Sequence, residues 1–489
     1  MPDLTHRRRL LILAICCMSL LIVGMDNTIV NVGLNTIRTD LHASLPDLQW
    51  TIDAYTVVLA SLLMLSGSTA DRIGRRRLFQ IGLAVFSIGS LLCSIAPSLG
   101  WLIAFRAMQA VGGSMLNPVA MSIITNVFTD PKERARAIGV WGGVIGLSLG
   151  LGPVVGGALI DAVGWRSIFW INVPIGVAAF VLAALFVPES RAQRARRPDP
   201  IGQALVIVVL AGVTFGIIES PRAGWVSAQT ITAFVLALAA LVALLRYEPR
   251  RTDPLIDLRF FRSVPFSGAT VIAVCAFGSF SGFLFLTTLY LQDVRRLEPL
   301  AAGLHLLPFA VVTIVFAPLS GRVVASRGPR LPLIAAGALM TIGALLLVPT
   351  SAHESTFALI ATYTVFAMGF GIVNAPITNT AVSGMPRAQA GVAAAVASTS
   401  RQVGAALGVA VVGSVLASGV GAFGGSLSSG FVAASRTGWW ILVGCGVAVL
   451  VLGAATTGRA GRRSAGRTAD LIAAGDEPEP QIREHAVAG

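Results

Sequence analysis

Residues 67–77 read GSTADRIGRRR, a short polar segment in which small, acidic and basic residues are regularly placed. Gly67 lets a second helix approach closely, and Gly74 supplies a turn that can adopt a positive φ angle. Asp71 can accept hydrogen bonds from a neighbouring helix N-terminus or pair with an arginine. Arginines that only fix membrane topology would not need this spacing of glycine and aspartate. The segment therefore indicates a structured turn between two helices.

The composition around this turn is that of an integral membrane protein. Hydrophobic residues make up 55% of the chain and charged residues 12%, whereas soluble domains carry about 25% charged residues. Apolar runs of about 20 residues recur, and such a run crosses the bilayer core as a helix. The runs do not alternate in polarity, which argues against a β-barrel. We predict fourteen spans, near residues 10–35, 48–69, 78–96, 100–124, 137–160, 168–187, 201–219, 228–246, 265–290, 301–322, 331–350, 356–378, 389–417 and 437–457.

The arginines alternate between rich and poor loops. The poor set holds only Arg38, Arg166, Arg222, Arg295, Arg296 and Arg436, and most of the remaining arginines lie in the other loops and at both termini. Because basic residues accumulate on the cytoplasmic side, we expect both termini in the cytoplasm and an even number of spans, which fits fourteen and also twelve. The net charge of +13 then reflects topology, and no nucleic-acid partner is expected.

Two polar, proline-containing linkers divide the chain. They predict two six-helix bundles with a two-helix insertion between them, in an all-α membrane fold. The predicted parts are a cytoplasmic N-terminus at 1–9, an N-terminal bundle at 10–187, a linker at 188–200, the insertion at 201–246, a linker at 247–264, a C-terminal bundle at 265–457 and a disordered cytoplasmic tail at 458–489.

The cysteines lie inside apolar runs without metal-binding spacing. No HExxH, GxSxG or Walker A pattern occurs. We therefore expect no enzyme activity, no metal and no cofactor, with a proton gradient as the energy source. A monomer in the plasma membrane, surrounded by lipid, is the expected state.

The turn at 67–77 resembles the signature loop of the major facilitator superfamily, G-x-x-x-D-R-x-G-R-R. Residues 321–330 form a degraded second copy, with Ser326 where an aspartate would be. An internal repeat is typical of such transporters. The resemblance implies a role in the conformational cycle for four residues of the turn, namely Asp71, Arg72, Gly74 and Arg75.

Residues 21–32 of span 1 resemble the corresponding motif of fourteen-span drug:proton antiporters. Asp26 lies too deep to reach water, and an unpaired carboxylate at that depth is costly or takes up a proton. It is a natural proton carrier. The alternative is a structural carboxylate held by neighbouring asparagine or arginine side chains.

Two more charged residues are candidates for proton coupling. Residues 106–110 resemble the family's R-x-x-Q-G motif, with Ala110 in place of glycine. Arg106 needs a partner or a wet cavity, and it shares the depth of Asp26. It either exchanges contacts with Asp26 or only braces helices. Asp53 is expected near the outer end of span 2, open to solvent, with an undecided role.

Span 5 carries glycines from Gly139 to Gly157 that resemble the antiporter motif G-x8-G-x3-G-P-x2-G-G, with Ser148 replacing one glycine. Small residues allow close helix contact, and Pro153 kinks the helix. The resemblance implies an exporter and a conformational role for Gly152 and Pro153. The alternative is a generic packing face.

Further polar residues inside the spans are predicted to line the substrate cavity. Tyr55 is placed to stack on an aromatic substrate, and Arg401 is either a cavity charge or a structural clamp. The predicted cavity residues are Asn27, Asn31, Tyr55, Gln109, Asn117, Asn374 and Arg401.

The patterns together predict a secondary exporter that expels drug-like or antibiotic molecules, small and hydrophobic or cationic, in exchange for protons. A dedicated exporter of one endogenous metabolite fits the sequence equally. A proton-coupled nutrient symporter is disfavoured by the glycine and proline pattern of span 5.

Overall fold

The computed structural model describes residues 5–192, 198–251, 253–385, 389–422 and 427–476. These ranges are helical without a β-strand, as predicted. In chain order the α-helices are His6–Leu41 (α1), Leu45–Ile73 (α2), Arg75–Ser94 (α3), Leu99–Val127 (α4), Pro131–Val163 (α5), Ser167–Trp170 (α6), Asn172–Phe186 (α7), Pro200–Ala223 (α8), Ala228–Tyr247 (α9), Val264–Leu289 (α10), Pro299–Arg327 (α11), Arg330–Leu347 (α12), Thr356–Val382 (α13), Ala390–Ala422 (α14), Leu427–Thr456 (α15) and Arg459–Asp476 (α16).

Thirteen segments in the described part of the chain are long and apolar enough to cross a membrane, with α6 and α7 forming one of them. Helix α4 is the fourteenth long helix: its 29 residues span about 44 Å at 1.5 Å per residue. Its buried Arg106 and Gln109 lower its mean hydropathy but point into the protein. The prediction of a multi-pass membrane protein is confirmed.

The helices form two bundles of six spans. In the first, α1 packs on α5 and α4 packs on both α2 and α3. In the second, α10 packs on α14, α12 on α15 and α11 on α13. The bundles meet along two lines, where α2 contacts α14 and α5 contacts α11. Repeated bundles with such paired contacts match the predicted internal repeat.

Helices α8 and α9 form the inserted hairpin. The indole Nε1 of Trp50 donates to Glu219 Oε1 at 2.8 Å, which holds α8 against α2. The hydroxyls of Ser220 and Ser414 lie 3.4 Å apart, so α8 also contacts α14. The hairpin therefore covers the line along which α2 and α14 meet.

The bundles are in contact at one end and apart at the other. Along α5 and α11, a side-chain carbon added to Gly150 would overlap Ala310, and one added to Gly303 would overlap the Pro153 backbone. Towards the 67–77 turn, Gly139 and Gly321 face open space. The bundles are thus not in contact at these two positions, and we call the gap between them at the end that carries this turn the cleft.

The prediction of a disordered tail from residue 458 is wrong for Arg459–Asp476, which form α16. Ser464 Oγ accepts from Val264 N at 3.1 Å and donates to Arg262 O at 3.1 Å. Ala465, Thr468 and Ile472 are buried at a spacing of three to four residues. One face of α16 therefore packs on the second bundle, which stabilises the helix. Residues 477–489 lie outside the described ranges.

Candidate transport site

The first polar cluster lies inside the N-terminal bundle, where α1 brings Asp26 opposite Arg106 of α4. Arg106 Nη1 lies 2.5 Å from Asp26 Oδ2. Asp26 is 0% exposed and Arg106 1%, so neither charge is solvated. A buried ion pair keeps its place only when the remaining donors and acceptors are also satisfied.

Those remaining groups do find partners. Gln109 Nε2 donates to Asp26 Oδ1 at 2.9 Å, and Asn172 Nδ2 donates to the same oxygen at 3.0 Å. Both carboxylate oxygens are therefore bonded. We call Asp26, Arg106, Gln109 and Asn172 the proton cluster.

Arg106 is held on its other sides as well. Its Nε donates to the carbonyl of Thr51 at 3.2 Å, and Nη1 donates to Gln109 Oε1 at 2.8 Å. The guanidinium carbon lies 4.2 Å from the centre of the Tyr55 ring, within range of a cation–π contact. The proton cluster is thus neutral overall and densely bonded.

Tyr55 and Gln109 were predicted to line the substrate cavity, and the structure places them elsewhere. Both are 0% exposed, and they contact Arg106 and Asp26 respectively. Asn172 was missed as a site residue. Its signal was a polar residue within an apolar segment, just ahead of a proline.

Asp53 differs from its sequence-based description. It was expected to be open to solvent, but it is 0% exposed, and neither carboxylate oxygen has a hydrogen-bond partner among the described residues. Gln49, one turn earlier on α2, donates to the carbonyls of Val409 and Ala410 on α14, at 3.2 and 3.1 Å. The i,i+4 spacing puts Asp53 on the same face, towards the second bundle.

The second polar cluster lies in the C-terminal bundle around Arg401 of α14. Arg401 Nη1 donates to Thr378 Oγ1 at 3.2 Å, and Nη2 donates to Ser398 Oγ at 2.8 Å. The guanidinium carbon lies 5.9 Å from the centre of the Phe277 ring. Asn374, one turn from Thr378, has an Oδ1 without a partner in the described part of the chain. These four polar residues, Arg401, Thr378, Ser398 and Asn374, are the arginine cluster.

The other predicted cavity residues lie apart from both clusters. Asn27 Nδ2 donates to the carbonyl of Val23 at 3.1 Å, and Asn31 Nδ2 donates to that of Asn27 at 3.3 Å. Asn117 is partly exposed. The Oδ1 atoms of Asn31 and Asn117 have no partner in the described ranges, which leaves them able to accept a hydrogen bond.

The signature turn is ordered by contacts within itself and with the following linker. Asp71 Oδ1 accepts from Arg75 Nη2 at 2.8 Å, and Gly74 has φ 115°. Glu189 Oε1 accepts from the Arg76 backbone at 3.1 Å, while Arg72 is exposed. The linker acid Glu189 was missed by the sequence analysis, although it stands directly before a basic segment.

The glycine and proline pattern of α5 lies where three helices meet. A side-chain carbon on Gly152 would overlap Thr28 of α1, and one on Gly24 would overlap Ser148. Pro153 contacts Gly303 of α11. Of the predicted conformational residues, Gly152 thus lies at a contact with α1 in its own bundle, and Pro153 lies at a contact between the bundles.

In the second copy of the signature turn, Ser326 Oγ donates only to carbonyls of its own helix, Arg322 at 3.0 Å and Val323 at 3.3 Å.

No group of His, Cys, Asp and Glu side chains that could hold a metal occurs in the described residues.

Two bundles of six helices, a central cleft and buried charges inside the spans define a membrane transporter. The family description that matches residues 16–409 is the Major Facilitator Superfamily. The chain belongs to this superfamily, as its sequence predicted.

Curated relatives and solved structures are similar over most of the chain. A multidrug resistance protein Stp of Mycobacterium tuberculosis is 35% identical over 84% of this chain and 76% of its own length. A tetracenomycin C resistance and export protein of Streptomyces glaucescens is 37% identical over 82% and 74%. A bacterial homologue of the human lysosomal transporter Spinster, in an inward-facing and unoccupied conformation, has a TM-score of 0.64 at 19% identity, covering 96% of this chain and 98% of that one. This last likeness concerns the fold alone.

Proposed function

We propose that the chain exports drug-like or antibiotic molecules across the cytoplasmic membrane in exchange for protons. Relatives named as drug resistance and export proteins support this direction of transport. The distribution of arginines supports a cytoplasmic position for both termini and for the 67–77 turn. The cleft then opens to the cytoplasm, the side from which an exporter collects its substrate.

The observation that carries the proton exchange is the fully buried pair of Asp26 and Arg106. The two residues come from different helices, α1 and α4, and their side-chain atoms approach to 2.5 Å. Removing two charges from water costs several kcal/mol per ion. Ionisable groups inside membrane helices are for this reason a mark of ion pathways.

The proton cluster supports a simple exchange. With Arg106, Gln109 and Asn172 bonded to it, the Asp26 carboxylate has donors at both of its oxygens. When α1 and α4 rearrange and the donors withdraw, the unpaired carboxylate takes a proton from the outer side. Return of Arg106 displaces that proton to the cytoplasm. One proton thus enters for each cycle of Asp26.

Asp53 is the candidate for a second proton. It lies on the α2 face that turns to α14, and its carboxylate oxygens have no partner among the described residues. A change in the packing of the two bundles therefore alters its surroundings directly.

The test is proton-driven export by Asp26→Asn in everted vesicles, with tetracenomycin C as the probe. We expect uptake into energised vesicles to fall to the level of protonophore-treated wild-type vesicles, at unchanged protein content. Asp470→Asn is the matched control, because Asp470 is exposed on α16 and should retain full uptake. Wild-type uptake by the Asp26 variant would refute the proton assignment.

A narrow exporter of one compound is the second candidate, favoured by relatives named for single antibiotics. A resistance profile that compares a knockout with an overexpressing strain separates the two. Protection against one compound class indicates the narrow exporter, and protection across classes indicates the broad one.

A further inference from the structure

We propose that Arg401 binds an acidic group of the transported molecule, so that the substrates are aromatic carboxylates or phenolates. The inference rests on the proposed export function and specifies its substrate class. It replaces the expectation of cationic substrates.

Arg401 lies deep inside helix α14. It lies eleven residues after Ala390, the first residue of α14, which is about 16 Å along the helix. A cation at that depth in a membrane protein needs a partner or a water-filled cavity. Arg401 is partly exposed.

None of the described aspartate or glutamate side chains pairs with Arg401. Helices α10–α15 contain no aspartate or glutamate in their described ranges. Asp293, just beyond α10, is paired with Arg38 of the first bundle. Asp26 is already neutralised by Arg106. No described carboxylate lies within ion-pair distance of Arg401, so the described residues leave its positive charge free to pair with an anionic group of a bound molecule.

The guanidinium of Arg401 has more N–H donors than the described residues use. A guanidinium has five N–H groups in a planar fork that suits two oxygens of a carboxylate. Arg401 uses its donors here on two neutral hydroxyls, those of Thr378 and Ser398. Free N–H groups remain, and the unpaired Oδ1 of Asn374 adds an acceptor for a substrate hydroxyl.

An aromatic side chain lies next to the guanidinium of Arg401. Phe277 lies beside Arg401 and contacts Phe370 at 5.2 Å between ring centres. Phe370 stacks on Phe280 at 4.2 Å, and Phe280 stacks on Phe309 at 5.4 Å. Of these rings only that of Phe277 is partly exposed, whereas Phe370, Phe280 and Phe309 are buried behind it, so Phe277 is the aromatic surface beside the arginine cluster. A flat ring system that carries an acidic group matches both parts.

The experiment compares two probes of the same shape on the purified full chain in nanodiscs: anthraquinone-2-carboxylate and the neutral anthraquinone-2-carboxamide. We expect wild type to bind the carboxylate at least tenfold more tightly. Arg401→Gln should abolish this preference while binding of the amide stays within about twofold, and Arg401→Lys should retain part of it. Phe277→Leu should weaken both probes alike.

Equal affinity of wild type for the two probes would overturn the proposal, as would a preference that survives in Arg401→Gln. Asp53→Asn tests the rival reading in which Arg401 serves as a partner for Asp53, because on that reading the neutral side chain would release Arg401 and increase the carboxylate preference well above that of wild type. The carboxylate preference must persist at its wild-type level in that variant, and its loss or such an increase there rejects the proposal. Because binding is measured without a proton gradient, failure of proton exchange leaves this result unaffected. Conversely, if the chain still exports but does not prefer the carboxylate probe to the amide probe, only the proposed substrate class is rejected and the export function stands.

Discussion

Arg106 and Arg401 lie well inside membrane spans, one in each bundle, and their surroundings are opposite. Arg106 is 1% exposed and is bonded to Asp26, to Gln109 and to a backbone carbonyl. Arg401 is partly exposed and is bonded to two hydroxyls. The difference teaches that a buried charge has to be judged by its partners and not by its depth.

The contrast extends to the whole bundles. Helices of the first carry acidic residues, including Asp26 and Asp53 in their interior, whereas α10–α15 carry none in the described ranges. The first bundle is therefore suited to handling protons, and the second is suited to holding an anion. Coupling between them has to pass through the two lines at which the bundles meet.

The largest expected effect separates the two arginines by stability. Arg106→Gln leaves the Asp26 carboxylate buried and unpaired, which costs about 3–5 kcal/mol. Arg401→Gln removes no ion pair and should change stability by less than about 1 kcal/mol. Thermal unfolding of the purified variants measures both.

The double variant Asp26→Asn with Arg106→Gln serves as the control, because no charge then remains unpaired. It should recover most of the stability lost in Arg106→Gln. Similar losses for Arg106→Gln and Arg401→Gln would remove the contrast between the clusters.

An intermediate effect is expected from one asparagine of each cluster. Asn172→Ala deletes a donor to Asp26, and a lost hydrogen bond to a charged group costs about 1.5–3 kcal/mol. Asn374→Ala deletes an amide whose Oδ1 has no described partner, so stability should change by less than about 0.5 kcal/mol. The same unfolding measurement applies, and a larger loss for Asn374→Ala would contradict this ranking.

The smallest effect on stability is expected in the two copies of the signature turn. Asp71→Ala removes the ion pair with Arg75, which is partly exposed and thus contributes about 0–1 kcal/mol. Its turnover should nevertheless fall several-fold at unchanged apparent substrate affinity, because the turn orders the end of α2. Ser326→Ala loses only a bond within its own helix and should transport normally. Initial export rates over a range of substrate concentrations decide between these outcomes.

Contact between Asp26 and Arg106 was one of the two alternatives that the sequence offered for Arg106, because both charges lie at a similar depth in apolar helices, and the structure shows this contact. It could not predict the environment of Asp53, since distance along α2 does not reveal that α14 covers that face. Asn172 was missed because its role depends on α7 packing against α1 and α3.

The last helix shows a different limit. Arginine and polar residues made the segment from Arg459 resemble a tail, and the weak apolar stripe of α16 is stable only against the second bundle. Apolar runs of about 20 residues predicted the spans because a span needs that length to cross the bilayer core, whereas α16 needs a specific docking surface.

The inserted hairpin also makes the two flanks of the molecule different towards the surrounding lipid. By contacting α2 and α14 together, α8 screens one flank of the molecule from lipid. On the opposite flank, the lower part of α5 is exposed around Gly142 and Gly143. In the described part of the chain no inserted helix covers the line where α5 meets α11 as α8 covers the line where α2 meets α14, so the fold, symmetric in its bundles, is one-sided towards the membrane.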